Sequence, residues 1–340
     1  MSLDYINGSV EMAHGSGGRA SSELVNELFL PAFDNPILRE LNDQATLSLP
    51  GKRIVMATDS HVVTPLFFPG GDIGSLAVYG TVNDVAMSGA TPLYLSAGFI
   101  LEEGFSLAQL KNIVNSMAKA AQICGITIVT GDTKVVERGH GDGCYINTTG
   151  IGSLADDLNL SPSKIQNGDK ILLSGSLGDH GTTILAQRQH LNLSSGLISD
   201  SQPLHDLVAN MLKAVPEIRC MRDPTRGGLA SILNELSQSS AYAMRLDETQ
   251  IPIKDEVKAC TELLGLDPLY IANEGKLVAF CPADKAAKLL TTMQAHPKGK
   301  EAAIIGEVLN AKRAAVEMQT SFGGKRIVDW RYSDPLPRIC

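Results

Sequence analysis

Four aspartates carry the first chemical suggestion in this chain. Asp59 closes the apolar run Arg53-Ile54-Val55-Met56-Ala57-Thr58, and Asp132 closes Ile126-Thr127-Ile128-Val129-Thr130-Gly131. Both runs read as strands, and ligand sites in α/β proteins gather at strand ends. Asp84 follows Asn83 on a helical pattern, and Asp43 lies in a loop before Gln44. Hard oxygen ligands of this kind suit Mg²⁺ held together with substrate phosphates. Strand-end aspartates also cap turns and helices, and spacing alone leaves the two readings even. Lys134 follows Asp132 by two residues and could counter phosphate charge, or form an ordinary surface ion pair. Glu274, beside Gly275 and before a strand, has the type and setting of a general base, although loop glutamates are commonly just solvated.

Two glycine-rich stretches and one mixed string add to this. His14-Gly15-Ser16-Gly17-Gly18-Arg19 offers unobstructed backbone N–H groups for a phosphate. It is neither a P-loop nor a dinucleotide fingerprint. Such loops are usually just flexible, and Gly175 to Gly181 is a similarly weak signal. Arg222-Asp223-Pro224-Thr225-Arg226-Gly227-Gly228 is more pointed. Proline favours a helix start, and two arginines there suit an anion. Asp223 is read as shaping this loop.

The chain ends in a thiol. Ser333-Asp334-Pro335-Leu336-Pro337-Arg338-Ile339-Cys340 is a proline-stiffened tail. From Arg331 onward it reaches roughly 30 Å if extended, at ~3.3 Å per residue. Chain ends are usually frayed, and the tail by itself favours that bland reading. With Cys340 the last residue of the sequence, no CaaX lipidation box is expected.

The frame around these residues is that of a globular protein. The chain has 340 residues, 44 % hydrophobic and 19 % charged, enough for two ordinary domains. A net charge of −8 argues against a nucleic-acid binder. No apolar run is long enough to span a membrane, and the N-terminus lacks signal-peptide features, so a cytoplasmic protein is expected. Cys124, Cys144, Cys220, Cys260, Cys281 and Cys340 are scattered without metal-ligand spacing, which predicts reduced and mostly buried thiols.

Strands and helices alternate through the first half. Helices are expected over 74–88 and 106–123, the latter with Ser106 as N-cap and Gly125 just beyond its end. Strands are expected over 53–59, 92–100, 126–132 and 144–154. A polar, turn-rich stretch over 156–168 marks a boundary. Beyond it come strands at 170–174, 242–246, 276–280 and 303–309, helices at 203–215, 225–239 and 284–295, and a hairpin over 314–330. No repeat or low-complexity segment appears.

At this point the strings resemble a known family. Arg222 to Gly228 resembles a signature of the ATP-using superfamily of aminoimidazole ribonucleotide synthetase, selenophosphate synthetase and thiamine-monophosphate kinase. Gly80-Thr81-Val82-Asn83-Asp84-Val85-Ala86-Met87-Ser88-Gly89-Ala90-Thr91-Pro92 is similar to its metal-binding helix, and Gly131-Asp132-Thr133-Lys134-Val135-Val136 also matches. The opening His14–Gly18 and the terminal Pro337-Arg338-Ile339-Cys340 narrow the resemblance to hydrogenase-maturation carbamoyl dehydratases, from about Met12 to Cys340.

The resemblance implies an α/β (α+β) fold of two aminoimidazole ribonucleotide synthetase-like domains with a flexible C-terminal tail. The corresponding ranges are 1–155 for ATP and Mg²⁺ binding and dimerisation, 156–330 for the second α/β domain, and 331–340 for the tail. It implies a homodimer with ATP near the interface. It also implies a carbamoyl group placed on Cys340 by the carbamoyltransferase HypF, ATP-dependent dehydration to a thiocyanate, and transfer of cyanide to iron held by a HypC–HypD complex. No nucleic acid or membrane partner is implied. Asp43, Asp59, Asp84 and Asp132 would meet Mg²⁺. Gly15, Gly17, Asn83, Arg222 and Arg226 would meet the nucleotide, while Cys340, Lys134 and Glu274 would act on the carbamoyl group. Selenophosphate synthetase chemistry typically uses Cys or Sec in the early glycine loop, where this chain has Ser16. Aminoimidazole ribonucleotide synthetase-like and thiamine-monophosphate kinase-like enzymes, which need no terminal cysteine, remain the enzymatic alternative. A non-catalytic scaffold using the tail thiol is the alternative of another class.

Overall fold

The computed structural model describes residues 3–15, 18–41, 45–189, 196–310, 313–330 and 338–339, with the side chains of 18 and 19 excluded. Its first layer is a four-stranded sheet of β1 (Arg53–His61), β2 (Thr91–Glu102), β3 (Thr127–Val136) and β4 (Cys144–Leu154). The order is β1-β4-β2-β3, antiparallel except for the β2–β3 pair. Two helices cover one face, α1 (Ile73–Met87) and α2 (Leu107–Cys124).

The local sequence accounts for both helices. Asp72 starts α1 with a capping box: its Oδ1 accepts from the N–H groups of Gly74 (2.7 Å) and Ser75 (2.9 Å), while Ser75 Oγ accepts from Asp72 N–H. Apolar and small residues all round let α1 be buried on nearly every side. In α2 one apolar face, including Leu110, Ile113, Val114 and Met117, is buried. Ser106 caps its start, and Gly125, at φ 66°, takes the left-handed turn that ends it.

The second layer is a seven-stranded sheet. Its strands are β5 (Lys170–Leu173), β6 (Cys220–Arg222), β7 (Ala243–Asp247), β8 (Val278–Cys281), β9 (Ala303–Leu309), β10 (Val316–Gln319) and β11 (Lys325–Ile327). They lie in the order β11-β10-β7-β9-β5-β8-β6. The continuous apolar runs of β5 and β8 follow from cover on both faces. One apolar cluster gathers Leu229 and Leu233 of α5 (Gly228–Ser240) with Phe280 and Ile171. The other gathers α4 (His205–Ala214) and α7 (Ala283–Ala295) with Leu172 and Ala279. Ala86 and Met87 of α1 enter this second cluster, so the first unit's buried helix is also a wall of the second.

Several expectations are corrected. The glycine loop after β5 ends at Gly178, where α3 (Asp179–Arg188) begins, and α6 (Asp255–Leu264) is a helix no pattern above assigned. The helix expected from Thr225 starts at Gly228, with residues before it in a turn. Both aspartate strands run on, to His61 and to Val136, so Asp59 and Asp132 lie inside strands and not at their ends. Arg338 and Ile339, expected in a free arm, are docked, Ile339 with 2 % of its surface exposed. Residues 331–337 and Cys340 lie outside the described residues. The five described cysteines are buried and unpaired. Among the described residues no helix is long and apolar enough to cross a membrane.

Candidate active site

Strand alternation decides which acids meet. In one register row Asp59 stands beside Thr148, Ala97 and Gly131. Thr148 Oγ1 meets Ala77 O (3.1 Å) and Thr81 Oγ1 (2.6 Å) of α1, so this row faces the helices. Asp59 therefore points toward α1. There Gly80 leaves the space it needs: a Cβ would sit 3.1 Å from His61 Cε1 and 3.6 Å from Asp59 Oδ2. Asp84 lies about one turn further along α1.

The signature string brings a third acid. Gly227 and Gly228 have φ 71° and 61°, open to glycine at little cost. A Cβ on Gly228 would also lie 2.6 Å from the carbonyl oxygens of Leu269 and Ile271. Gly227 leaves room for Ser231, and Gly228 thus lets residues 269–271 lie against the start of α5. Asn273 ties the 269–275 segment there, its N–H and Nδ2 both donating to Pro224 O at 3.1 and 3.0 Å. Asp223 and Glu274 are delivered by this paired turn. Asn83, expected at the nucleotide, instead clamps the two units: its Nδ2 donates to Gln202 O (3.0 Å) and Glu274 O (3.3 Å), and its Oδ1 accepts from Leu204 N–H (2.7 Å).

The electrostatics are those of crowded acids. Burial, then the charges of Asp223 and Asp59, push Asp84 up to about 8, against Arg222 and Arg226. Burial, with Asp59 adding, brings Asp223 to about 6 although Arg222 opposes it. Glu274 is raised well above the usual range by burial and then by Asp59, Asp200, Asp223 and Asp84. It is 4 % exposed, and its Oε1 has no hydrogen-bond partner among the described residues. Arg226 reaches Asp59 at 3.8 Å with 72 % of its side chain exposed, whereas Arg222 pairs outward with Glu235 at 3.5 Å.

Asp200 anchors the Glu274 loop, and no sequence pattern pointed to it. Its carboxylate accepts from the N–H groups of Glu274 and Gly275 (both 3.2 Å) and from Lys276 Nζ (3.0 Å). Burial opposes its charge, yet Lys276 and these donors hold its carboxyl below the usual range.

Lys134 and Asp132 lie elsewhere. Asp132 is one residue past the Asp59 row, so it and Lys134 point to the opposite, open face of the sheet. They pair with each other at 3.2 Å, 69 % and 64 % exposed. Beside them is a cavity of about 250 Å³, apolar at Leu24, Phe29, Phe33 and Ile128, with Gly15, Asp132 and Lys134 in its lining. Gly15 touches β3 so closely that a Cβ would meet Val135 N at 2.3 Å. Convergence of Asp132 with Asp59 and Asp84 inside one chain is therefore corrected, as is that of Lys134 with Glu274. Asp43, Gly17 and Cys340 lie outside the described residues. Among the described residues no three His, Cys, Asp or Glu side chains form a ready metal cage. The mutually repelling oxygens of Asp59, Asp84 and Asp223 still fit Mg²⁺, which commonly takes one or two carboxylates plus substrate phosphates.

The AIR synthase related protein N-terminal domain profile matches residues 41–154, and the C-terminal domain profile matches residues 166–319. The class is thus that of AIR synthase related proteins. Carbamoyl dehydratase HypE of Azotobacter vinelandii is 61 % identical over 338 residues, covering 99 % of both chains. A crystal structure of hydrogenase maturation protein HypE in complex with ATP has a TM-score of 0.94 at 50 % identity, covering 97 % of this chain and 99 % of that one. A HypE–HypF complex structure has a TM-score of 0.79 at 46 % identity, covering 90 % of this chain and 99 % of that one. The chain belongs to the HypE family, the carbamoyl dehydratases of hydrogenase maturation.

Proposed function

We propose that this enzyme dehydrates an S-carbamoyl group on Cys340 to a thiocyanate at the expense of ATP, for cyanide delivery to the iron of [NiFe]-hydrogenase. Glu274, buried beside Asp59, Asp84 and Asp223 with its Oε1 lacking a hydrogen-bond partner among the described residues, is the observation that carries this reading. Hydroxide leaves an amide carbon poorly, so the oxygen must first become a phosphate ester. The carbamoyl oxygen takes the γ-phosphoryl group, the bond to ADP breaks, and one N–H proton passes to a base. The second N–H proton then leaves, the carbon–nitrogen triple bond forms, the carbon–oxygen bond breaks, and phosphate departs. A buried carboxylate whose proton affinity is raised is a stronger base than a solvated one, and Glu274 takes that role. Arg226 orients phosphate from the exposed side of Asp59. When bound, Mg²⁺ would be held by Asp59 and Asp84, with Asp223 beside them, and would neutralise phosphate charge.

The apolar cavity with charged Asp132 and Lys134 in its lining suits a nucleoside with its phosphates outward. A related HypE crystallises in complex with ATP, which supports ATP as the nucleotide. A second copy of the chain covers the open sheet face, on which Ile54, Met56 and Ile100 are 57 %, 68 % and 44 % exposed. Asp132 and Lys134 then belong to a site completed by two copies, as the homodimer reading requires. HypF as carbamoyl donor is supported by the related HypE–HypF complex, and a HypC–HypD complex is the proposed acceptor. The proposed organisation is 1–155, 156–330 and a tail from 331, in a cytoplasmic enzyme.

A two-stage assay tests the function. The protein is carbamoylated with its carbamoyltransferase, freed of nucleotide, and then given Mg–ATP. The C-terminal peptide is expected to lose one water only in the second stage. Persistence of the carbamoylated peptide in full Mg–ATP overturns the reading.

A further inference from the structure

The last described residues are held by a buried histidine. His180 is fully buried in α3, and its Nε2 meets Ile339 O at 2.8 Å. Its Nδ1 meets Ser199 Oγ at 2.7 Å. A carbonyl oxygen can only accept, so Nε2 carries the proton, and Nδ1 accepts from the Ser199 hydroxyl. Ser199 Oγ in turn accepts from Ser201 N–H at 3.1 Å, which completes its bonding. Burial lowers the pKa of His180, in keeping with this neutral tautomer. Phe68 packs edge-on against the ring at 5.4 Å.

The residue before is clamped as firmly. The Arg338 carbonyl accepts from Thr64 N–H at 3.3 Å and from the Arg188 guanidinium. Arg188 Nε also donates to Thr64 O at 2.5 Å. The Arg338 side chain donates to Thr64 Oγ1 at 2.6 Å and pairs with Asp142. Arg338 sits at φ 61°, a conformation a non-glycine residue keeps only where its surroundings dictate it. Ile339 joins the apolar cluster that includes Phe68, Ile184, Leu185 and Ile271.

Ser199 holds His180, and the next residue, Asp200, holds the two N–H groups of the Glu274 loop. One short path therefore joins the seat of the tail to the proposed base. We propose that His180 is a positioning residue for the C-terminal tail, seating Ile339 through Nε2–H and tying that seat, through Ser199 and Asp200, to the loop that carries Glu274. This deepens the dehydration reading, since the seated residue directly precedes the proposed carrier thiol. Its test uses neither ATP nor a partner, so the two ideas fail separately.

The test is the rate of iodoacetamide alkylation of Cys340 in the full-length protein, followed by mass of the C-terminal peptide, together with hydrogen exchange at Glu274 and Gly275. His180→Ala should alkylate about tenfold faster, the shift in seated population expected for one lost buried hydrogen bond. It should also speed exchange at both amides. His180→Gln, which retains a donor, should return both readouts toward the wild-type values. Ile339→Ala removes the seated side chain from the tail and leaves α3 intact. It should speed alkylation at least as much as His180→Ala, because burying an Ile side chain contributes more than one hydrogen bond. A folded His180→Ala or Ile339→Ala protein with wild-type alkylation overturns the seat. Faster alkylation with unchanged exchange at Glu274 and Gly275 overturns the link. Should His180→Ala fail to fold, the Ile339→Ala and His180→Gln results decide both points.

Discussion

Asp59 and Asp132 lie on the two outer strands of one four-stranded sheet, with side chains on opposite faces. Asp59, 28 % exposed, looks into the wall of α1, where Asp84, Asp223 and Glu274 crowd it. Asp132, 69 % exposed, looks outward and has Lys134 as partner. On the first face burial and repulsion raise the proton affinity of Asp84, Asp223 and Glu274. On the second an ion pair lies in the open beside an apolar cavity and exposed Ile100 and Met56. Two aspartates of similar sequence context thus take on different chemistry because a strand alternates. The inner acids meet within one chain, whereas the outer pair lies open to solvent.

The largest expected consequence on the outer face is for Lys134. Lys134→Ala should slow water loss from carbamoylated Cys340 by roughly 10²-fold, the scale for removing a charge-stabilising donor. Its melting temperature should change little, because exposed ion pairs contribute about 0–1 kcal/mol. Unchanged turnover would make Lys134 a plain surface residue and break the contrast. Met56→Glu places a charge in the proposed interface. Light scattering should then report a monomer in which the inner cluster remains folded, and a persisting dimer would put the interface elsewhere.

The smallest effect is on the inner face and concerns pH. Asp84 and Asp223 have folded-state pKa values above the unfolded value of 3.8, so the folded protein holds extra protons. Their stabilising contribution is complete below that value and is lost as pH rises through about 6 and about 8. The melting temperature should therefore fall as pH rises above 3.8, the Asp223 part ending at about 6 and the Asp84 part at about 8, a window above the range of the depressed carboxyls such as Asp200. Asp84→Asn should flatten the fall. An equal fall in the variant would show that the inner acids do not crowd each other.

Much of the frame was legible in the sequence because local rules and packing agreed. Helix α2 carries its period, its Ser106 cap and its Gly125 stop together. Helix α3 gave no such pattern, since its Asp179, His180, Thr182 and Thr183 are buried with its apolar residues. The types of the site residues were legible, but their grouping was not. Nothing in the spacing of Asp132 and Lys134 reveals which sheet face they take, because a one-residue offset in register decides it. Asp223 was read as a loop former, and only the pairing of its turn with the 269–275 segment puts it among the acids. Asn83 beside Asp84 suggested a ligand contact, whereas its amide joins the two units. Asp200 and His180 act through backbone groups far away in the chain, a relation no local motif records.

The central claim is that the inner acid cluster supplies the base for dehydration, and Glu274→Gln tests it most directly. The variant keeps the shape of the side chain and removes its ability to take a proton. Pre-carbamoylated wild type and variant are freed of nucleotide, mixed with Mg–ATP, and followed by mass of the C-terminal peptide through a single turnover. The account predicts normal carbamoylation of Cys340 in the variant and water loss slowed by about 10²–10⁴-fold, the range for loss of a general base. Water loss at the wild-type rate would contradict it.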